Sequence, residues 1–190
     1  GVLLDFRGPD YVHARSNGRV DEEAYFRFWS KAKCAHDLHC GRCSPEEFAR
    51  EAVREWQLNV TPEVFLEDYR TWFRGPYEGA LELLEALRPK YRLACLSNAN
   101  VLDVKRFREE VQLQRWLDAC FYSNELGLRK PDPAAYLHVS RALDLPPGDI
   151  VFFDDSRENV EGAIAVGMQA HHVQGFADLA GLLEGRFNRP

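Results

Sequence analysis

Ile150-Val151-Phe152-Phe153-Asp154-Asp155-Ser156-Arg157-Glu158-Asn159-Val160 sets a short apolar run directly against two adjacent carboxylates and a helix start. An unbroken run of that length suits a strand covered on both faces, as in a parallel sheet. The carboxylates then fall at its carboxyl end, where open parallel sheets bind ligands. Adjacent carboxylates repel unless a cation or proton lies between them. Mg2+ suits them as a hard cation that prefers oxygen ligands and keeps several waters. In the plainer alternative one aspartate caps the next helix while the other is solvated. Ser156 is an equally good cap, which frees Asp154 and Asp155 for a metal.

Upstream and downstream the pattern repeats. Helical stripes (Ala80, Leu81, Leu84 and Leu87; Val104, Phe107 and Val111; Tyr136, Val139 and Leu143 after Asp132-Pro133; Val160, Ala163 and Ile164 before Gly167) alternate with short apolar runs at residues 93–96, 119–122, 150–153 and 170–173. That rhythm predicts a doubly wound, mainly parallel Rossmann-like sheet. Residues that follow the runs should gather at one rim. They are Ser97 and Asn98 after Leu96, and Asp154 and Asp155 after Phe153; Lys130 precedes a helix start. A hydroxyl, an ammonium and two carboxylates would suit a phosphate and a metal. Taken singly, Ser97-Asn98 reads as a strand-ending turn and Lys130 as a solvated lysine.

Residues 20–74 differ, reading as helices rich in aromatics with nothing that alternates like a strand. Asp21, Ser44-Pro45-Glu46-Glu47 and Thr61-Pro62 are start signals, the second a capping box. Tyr25, Phe28 and Trp29, then Phe48, Ala49, Ala52, Val53 and Trp56, then Phe65, Tyr69, Trp72 and Phe73 form apolar faces. Residues 7–19 carry no legible motif, and Arg74-Gly75-Pro76-Tyr77-Glu78-Gly79 reads as the hinge between the halves. The expected organisation is residues 1–7 as a remnant of the core's N-terminus, 8–76 as an inserted α-helical cap, and 77–190 as the Rossmann-like core.

The composition, 45% apolar and 28% charged over 190 residues, is that of a globular domain with a core. A net charge of −6 speaks against nucleic acid or an anionic membrane as partner, and no apolar stretch approaches the ~20 residues that span a bilayer. Five cysteines form no disulfide framework, which points to a reducing, cytoplasmic setting. Cys34, His36, His39, Cys40 and Cys43 cluster in one predicted loop and offer zinc-type ligands, but no second Cys-x-x-Cys pair completes a recognised finger. Cys95 and Cys120 fall inside strands and read as core residues.

The strand-end residues, in this order, resemble the motifs of the haloacid dehalogenase superfamily. Leu96-Ser97-Asn98 resembles its second motif, Gly127-Leu128-Arg129-Lys130-Pro131-Asp132-Pro133 its third, and Phe153 to Val160 its fourth. Pro76-Tyr77-Glu78-Gly79-Ala80 resembles the re-entry from a cap into the core, and Gly1-Val2-Leu3-Leu4-Asp5 the tail of the first motif. The resemblance implies a magnesium-dependent phosphatase of a small phosphorylated metabolite that forms an aspartyl-phosphate. Ser97 and Asn98 would bind the phosphoryl group, Lys130 would position it, and Asp154 and Asp155 would hold Mg2+. The superfamily's nucleophile lies upstream of the Gly-Val-Leu segment, and Asp5 lies beyond the motif. The expectation is therefore a longer protein whose first strand precedes Gly1, with a pseudoenzyme as the alternative. Other readings are a 2-haloacid dehalogenase, a phosphomutase, or a non-catalytic domain that binds a phosphorylated ligand or protein. Substrate identity and oligomeric state are not legible.

Overall fold

The computed structural model describes residues 1–187, with side chains described through residue 184. The last residues of the expected 77–190 core thus lie outside the described part. From the start of the chain the elements are β1 (Leu4–Phe6), α1 (Gly8–Arg15), α2 (Glu22–Lys31), α3 (Lys33–His39), α4 (Pro45–Glu55), α5 (Pro62–Tyr69) and β2 (Phe73–Pro76). There follow α6 (Ala80–Leu87), β3 (Ala94–Ser97), α7 (Val101–Arg106), β4 (Ala119–Tyr122), α8 (Ser123–Leu126), α9 (Pro133–Leu143), β5 (Val151–Asp154), α10 (Arg157–Ala165), β6 (Gln169–His172) and α11 (Phe176–Phe187).

The helical half starts its helices where the capping chemistry requires. Asp21 accepts from Ala24 N at 2.8 Å, and Thr61 Oγ1 from Val64 N at 3.4 Å. Ser44 Oγ accepts from Glu47 N at 3.1 Å while Glu47 Oε2 accepts from Ser44 N at 2.8 Å, a reciprocal box. Phe28, Phe48, Trp56, Phe65, Tyr69 and Trp72 are buried in one cluster, each contributing about 1.5–3 kcal/mol of burial. Three expectations change here. Residues 7–19 contain α1, which buries only Gly8 and Val12 and so shows no stripe. The cysteine–histidine cluster is not one loop, because α3 carries Cys34, His36 and His39. The stretch to residue 74 is not wholly helical. Residues from Phe73 form β2, which pairs antiparallel with β1, so the predicted hinge is in part a two-stranded ribbon.

In the second half β3 pairs with β4 and β5 with β6, both parallel. Among the described residues no hydrogen-bond ladder joins the two pairs. The space between them is reached by the start of the chain: Leu3 packs both with the cluster containing Cys95 and with the one containing Phe153. The strands are therefore half-exposed rather than buried on both faces, with Val151 41% exposed, and Cys95 and Cys120 are half-buried register partners. The sheet is nonetheless mainly parallel with helices between its strands, an α/β Rossmann-like arrangement.

Candidate active site

Lys130, Asn98 and Asp154, predicted from three separate stretches, form one hydrogen-bonded unit. The Asn98 amide is fully engaged by the Lys130 backbone: its Nδ2 donates to Lys130 O at 2.9 Å and its Oδ1 accepts from Lys130 N at 2.8 Å. That pair ties the end of β3 to the loop before α9. The Lys130 ammonium, 5.4 Å from the centre of the Phe152 ring, then donates to Asp154 Oδ2 at 2.6 Å. Both side chains are buried, with Lys130 8% and Asp154 3% exposed. Charges this buried are tolerated only when paired and hydrogen-bonded, which describes both.

The other oxygen of Asp154 holds the start of α10. Oδ1 accepts from Ser156 N at 2.9 Å and from Asn159 Nδ2 at 2.8 Å, an Asx-type turn. The expectation that Ser156 would cap α10 is corrected, since its side chain makes no capping bond and Asp154 serves the turn instead. Asn159 is a contributor that sequence reasoning passed over. Its only signal was a position one helical turn beyond the carboxylates. Gly162 is another: a Cβ there would stand 2.8 Å from Pro131 O, so only glycine lets α10 press against the Lys130 loop.

Asp155, next in the chain, is more open. Its side chain is 43% exposed and Oδ2 lies 3.5 Å from Gly1 N. Ser97 is half-buried at the end of β3, and its hydroxyl makes no hydrogen bond among the described residues. Asp5 lies in the β1–β2 ribbon and pairs with Arg7 at 2.9 Å.

The donor set around Asp154 and Asp155 is all oxygen. Asp154 accepts three hydrogen bonds on roughly four lone-pair sites, and Asp155 is open to solvent. Two carboxylates with room for water fit Mg2+, which retains waters rather than demanding a protein cage. Among the described residues no group of three or more His, Cys, Asp or Glu could hold a metal. In the former cysteine–histidine cluster His36 Nε2 lies 2.6 Å from Ser30 O, and the His39 ring stacks on Trp29.

Residues 10–167 match the family description of the haloacid dehalogenase-like hydrolases. The chain belongs to that family. It is 31% identical over 181 residues to a phosphatase of Mycobacterium tuberculosis, covering 91% of this chain and 83% of that one. It is 33% identical over 145 residues to a chloroplast flavin mononucleotide hydrolase of Arabidopsis thaliana, spanning 57% of its length. It is 32% identical over 88 residues to an (S)-2-haloacid dehalogenase of Burkholderia cepacia, covering 46% of this chain and 38% of that one. A magnesium complex of a family enzyme from Bacteroides thetaiotaomicron has the same fold, with a TM-score of 0.74, 20% identity, and coverage of 95% and 92%.

In this family member the helical half meets the site along a seam. Glu158, in the first turn of α10, accepts from Ser30 Oγ at 2.6 Å and Lys31 Nζ at 2.8 Å. Arg129 Nη2 donates to Trp29 O at 3.3 Å. On the far side Tyr69 OH donates to Asp103 (3.2 Å to Oδ2) and accepts from Asn100 Nδ2 at 2.7 Å. Burial pushes Asp103 up to about 6, although hydrogen bonds from Asn100 and Tyr69 and the charge of Arg106 oppose it. No spacing in the sequence marked Tyr69 as the partner of Asn100.

Proposed function

We propose that the protein is a magnesium-dependent phosphatase acting on a small phosphorylated metabolite through an aspartyl-phosphate. The observation that carries this reading is the buried Lys130–Asp154 pair, which the Asn98 clamp joins to the strand end bearing Ser97. Residues from two strand ends and the loop before α9 thus come together, as phosphoryl transfer by positioning and charge requires. The Ser97 hydroxyl, which meets no partner among the described residues, would donate to a phosphoryl oxygen. The Lys130 ammonium, held by Asp154, would neutralise another. Asn98 would act through the loop it clamps and through backbone N–H groups near it.

Asp154 and Asp155 would hold Mg2+, which when bound supplies charge that offsets the phosphoryl group's own. Asp5 is engaged with Arg7 in the ribbon and would not be the acceptor. The helical half would serve as a cap whose seam against Glu158 and Arg129 opens and closes over the rim.

The reading is tested by hydrolysis of an aryl phosphate with protein expressed from its own start codon. Turnover should need Mg2+ and fall by at least about a hundredfold in Asp155→Asn. Turnover without metal, or none across a panel of phosphate esters, would reject it. The likeness to a haloacid dehalogenase favours a second reading, attack on carbon rather than phosphorus. Such chemistry needs no metal, so the intact Asp154-Asp155 pair argues against it. Chloride release from 2-chloropropionate without Mg2+ would reverse that ranking.

A further inference from the structure

Cys95 and Cys120 take no part in the proposed chemistry, yet they are partners in the register of β3 and β4. Neighbouring parallel strands run about 4.8 Å apart, and partners in register project to the same face. That separation lies inside the range of about 4.4–6.8 Å between Cα atoms that a disulfide spans. Both thiols are free and half-buried, so neither is sealed from a small solute. Each is the largest influence on the other's acidity, through a hydrogen bond between their side chains.

The two sulfurs are unlike. The hydrogen bond with Cys95 lowers the pKa of Cys120; burial opposes this, while Tyr122 and the charge of Arg108 add to it. Cys95 is raised by that same bond and by burial. Burial also raises Cys34, Cys40 and Cys43. Thiolate is the form that attacks, so Cys120 is the one of the five cysteines suited to oxidation, and Cys95 is the thiol placed to resolve the product.

We propose that a hydroperoxide closes a reversible disulfide between Cys95 and Cys120, and that closing it displaces Ser97 and Asn98. The Cys120 thiolate attacks the peroxide and the O–O bond breaks, leaving a sulfenic acid. The departing hydroxide takes up the proton that the thiol gave to solvent. The Cys95 sulfur then attacks Cys120, the S–O bond breaks, and the second hydroxide leaves as water with the Cys95 proton. The two thiols lose two electrons, and the peroxide gains them. In a disulfide the β-carbons stand about 3.8 Å apart, about 1 Å less than the strand spacing, so β3 and β4 must shift against each other. Their ends are tied, since Ser123 Oγ accepts from Ala99 N at 3.1 Å and donates to Ala99 O at 3.3 Å. The shift is thereby carried to Ser97 and Asn98, and Asn98 passes it to the Lys130 loop. A misplacement of that size costs a site up to about a hundredfold in rate. The disulfide follows from the thiols alone, whereas its effect on turnover rests on the phosphatase reading given above.

The test treats the protein, expressed from its own start codon, with hydrogen peroxide, alkylates the remaining thiols and maps the unreduced peptides by mass spectrometry. A linked Cys95–Cys120 peptide is expected, lighter by two hydrogens than the reduced pair and reopened by dithiothreitol. In Cys95→Ala the sulfenic acid on Cys120 should persist and be trapped by dimedone. Peroxide that leaves Cys95 and Cys120 open to alkylation, or links another pair first, would overturn the assignment. Aryl phosphate hydrolysis by oxidised wild type should fall at least about tenfold and return with dithiothreitol, while Cys120→Ala keeps its rate through the same treatment. An unchanged rate in the linked protein, or an equal loss in Cys120→Ala, would overturn the displacement of Ser97 and Asn98. If the reduced protein hydrolyses no ester, the phosphatase reading fails and the peptide map still decides the disulfide. Amide hydrogen exchange across residues 97–99 then reads the displacement, and exchange unchanged by oxidation overturns it.

Discussion

Lys130 and Asp154 show what a single buried pair can do. Each is nearly inaccessible, and their 2.6 Å contact removes the penalty that either charge would suffer alone. Lys130→Met leaves the buried Asp154 carboxyl with two neutral donors and no counter-charge. It should lower stability by about 3 kcal/mol or more, read from urea unfolding. The double variant Lys130→Met/Asp154→Asn should recover much of that loss, whereas additive losses would show the pair is not coupled. Asp103 predicts a pH effect of defined sign. Its folded value, about 6, lies above the ordinary 3.8, so the folded state keeps this proton to higher pH than the unfolded chain. Its contribution is complete below about pH 4 and is lost as pH rises through about 6. The wild type minus Asp103→Asn stability difference should therefore fall by on the order of 2–3 kcal/mol between pH 4 and 7. His39, pushed down to about 3, acts oppositely, since its share is present above about 6.5 and lost on acidification. Subtracting the variant isolates Asp103; a difference that does not change with pH would show the carboxyl is solvated.

At the scale of elements, local chemistry was legible and long-range pairing was not. Ser44-Pro45-Glu46-Glu47 announced α4 because both halves of the box lie within four residues. Ser44→Ala should cost about 1 kcal/mol, seen as a lower Tm with no change in the urea slope. An unchanged Tm would mean that packing alone fixes the end of α4. By contrast β1 and β2 are three and four residues long, lie more than sixty residues apart, and contain Gly75 and Pro76. Neither alternation nor β-propensity marks them, because only their mutual pairing makes them strands. The same limit hid α1, whose buried side is two residues wide, and the Asn159 bond, which depends on how sharply the chain turns after Asp154. The strand-end residues were legible because a parallel sheet delivers them to one rim whatever the loops do. Their hydrogen bonds were not, so the sequence offered Ser156 as a cap and Asn98 as a ligand. In the fold Asp154 serves the turn and the Asn98 side chain clamps Lys130.

Over the whole molecule two packed halves enclose one charged rim, and the forces at that rim set the remaining prediction. Leu3 packs against both parallel strand pairs, yet no ladder joins them among the described residues. The two sides of the rim are therefore held by side-chain packing, by the Asn98 clamp and by the Lys130–Asp154 pair. Asp155 contributes an exposed carboxylate next in sequence to the buried, Lys130-paired Asp154, and a cation bound there would add attraction that the folded state otherwise lacks. A ligand that binds only the folded state stabilises it by mass action, about 2.7 kcal/mol at one hundred times its Kd. For a chain of this length that amounts to a rise in Tm of about 5–10 °C. Saturating Mg2+ should give such a rise, EDTA should reverse it, and Asp155→Asn should remove most of it. Because this measures folding rather than turnover, it bears on the two carboxylates even in protein without activity. A Tm indifferent to Mg2+ in wild type would separate Asp154 and Asp155 from any metal and leave Asp154 as the anchor of Lys130 alone.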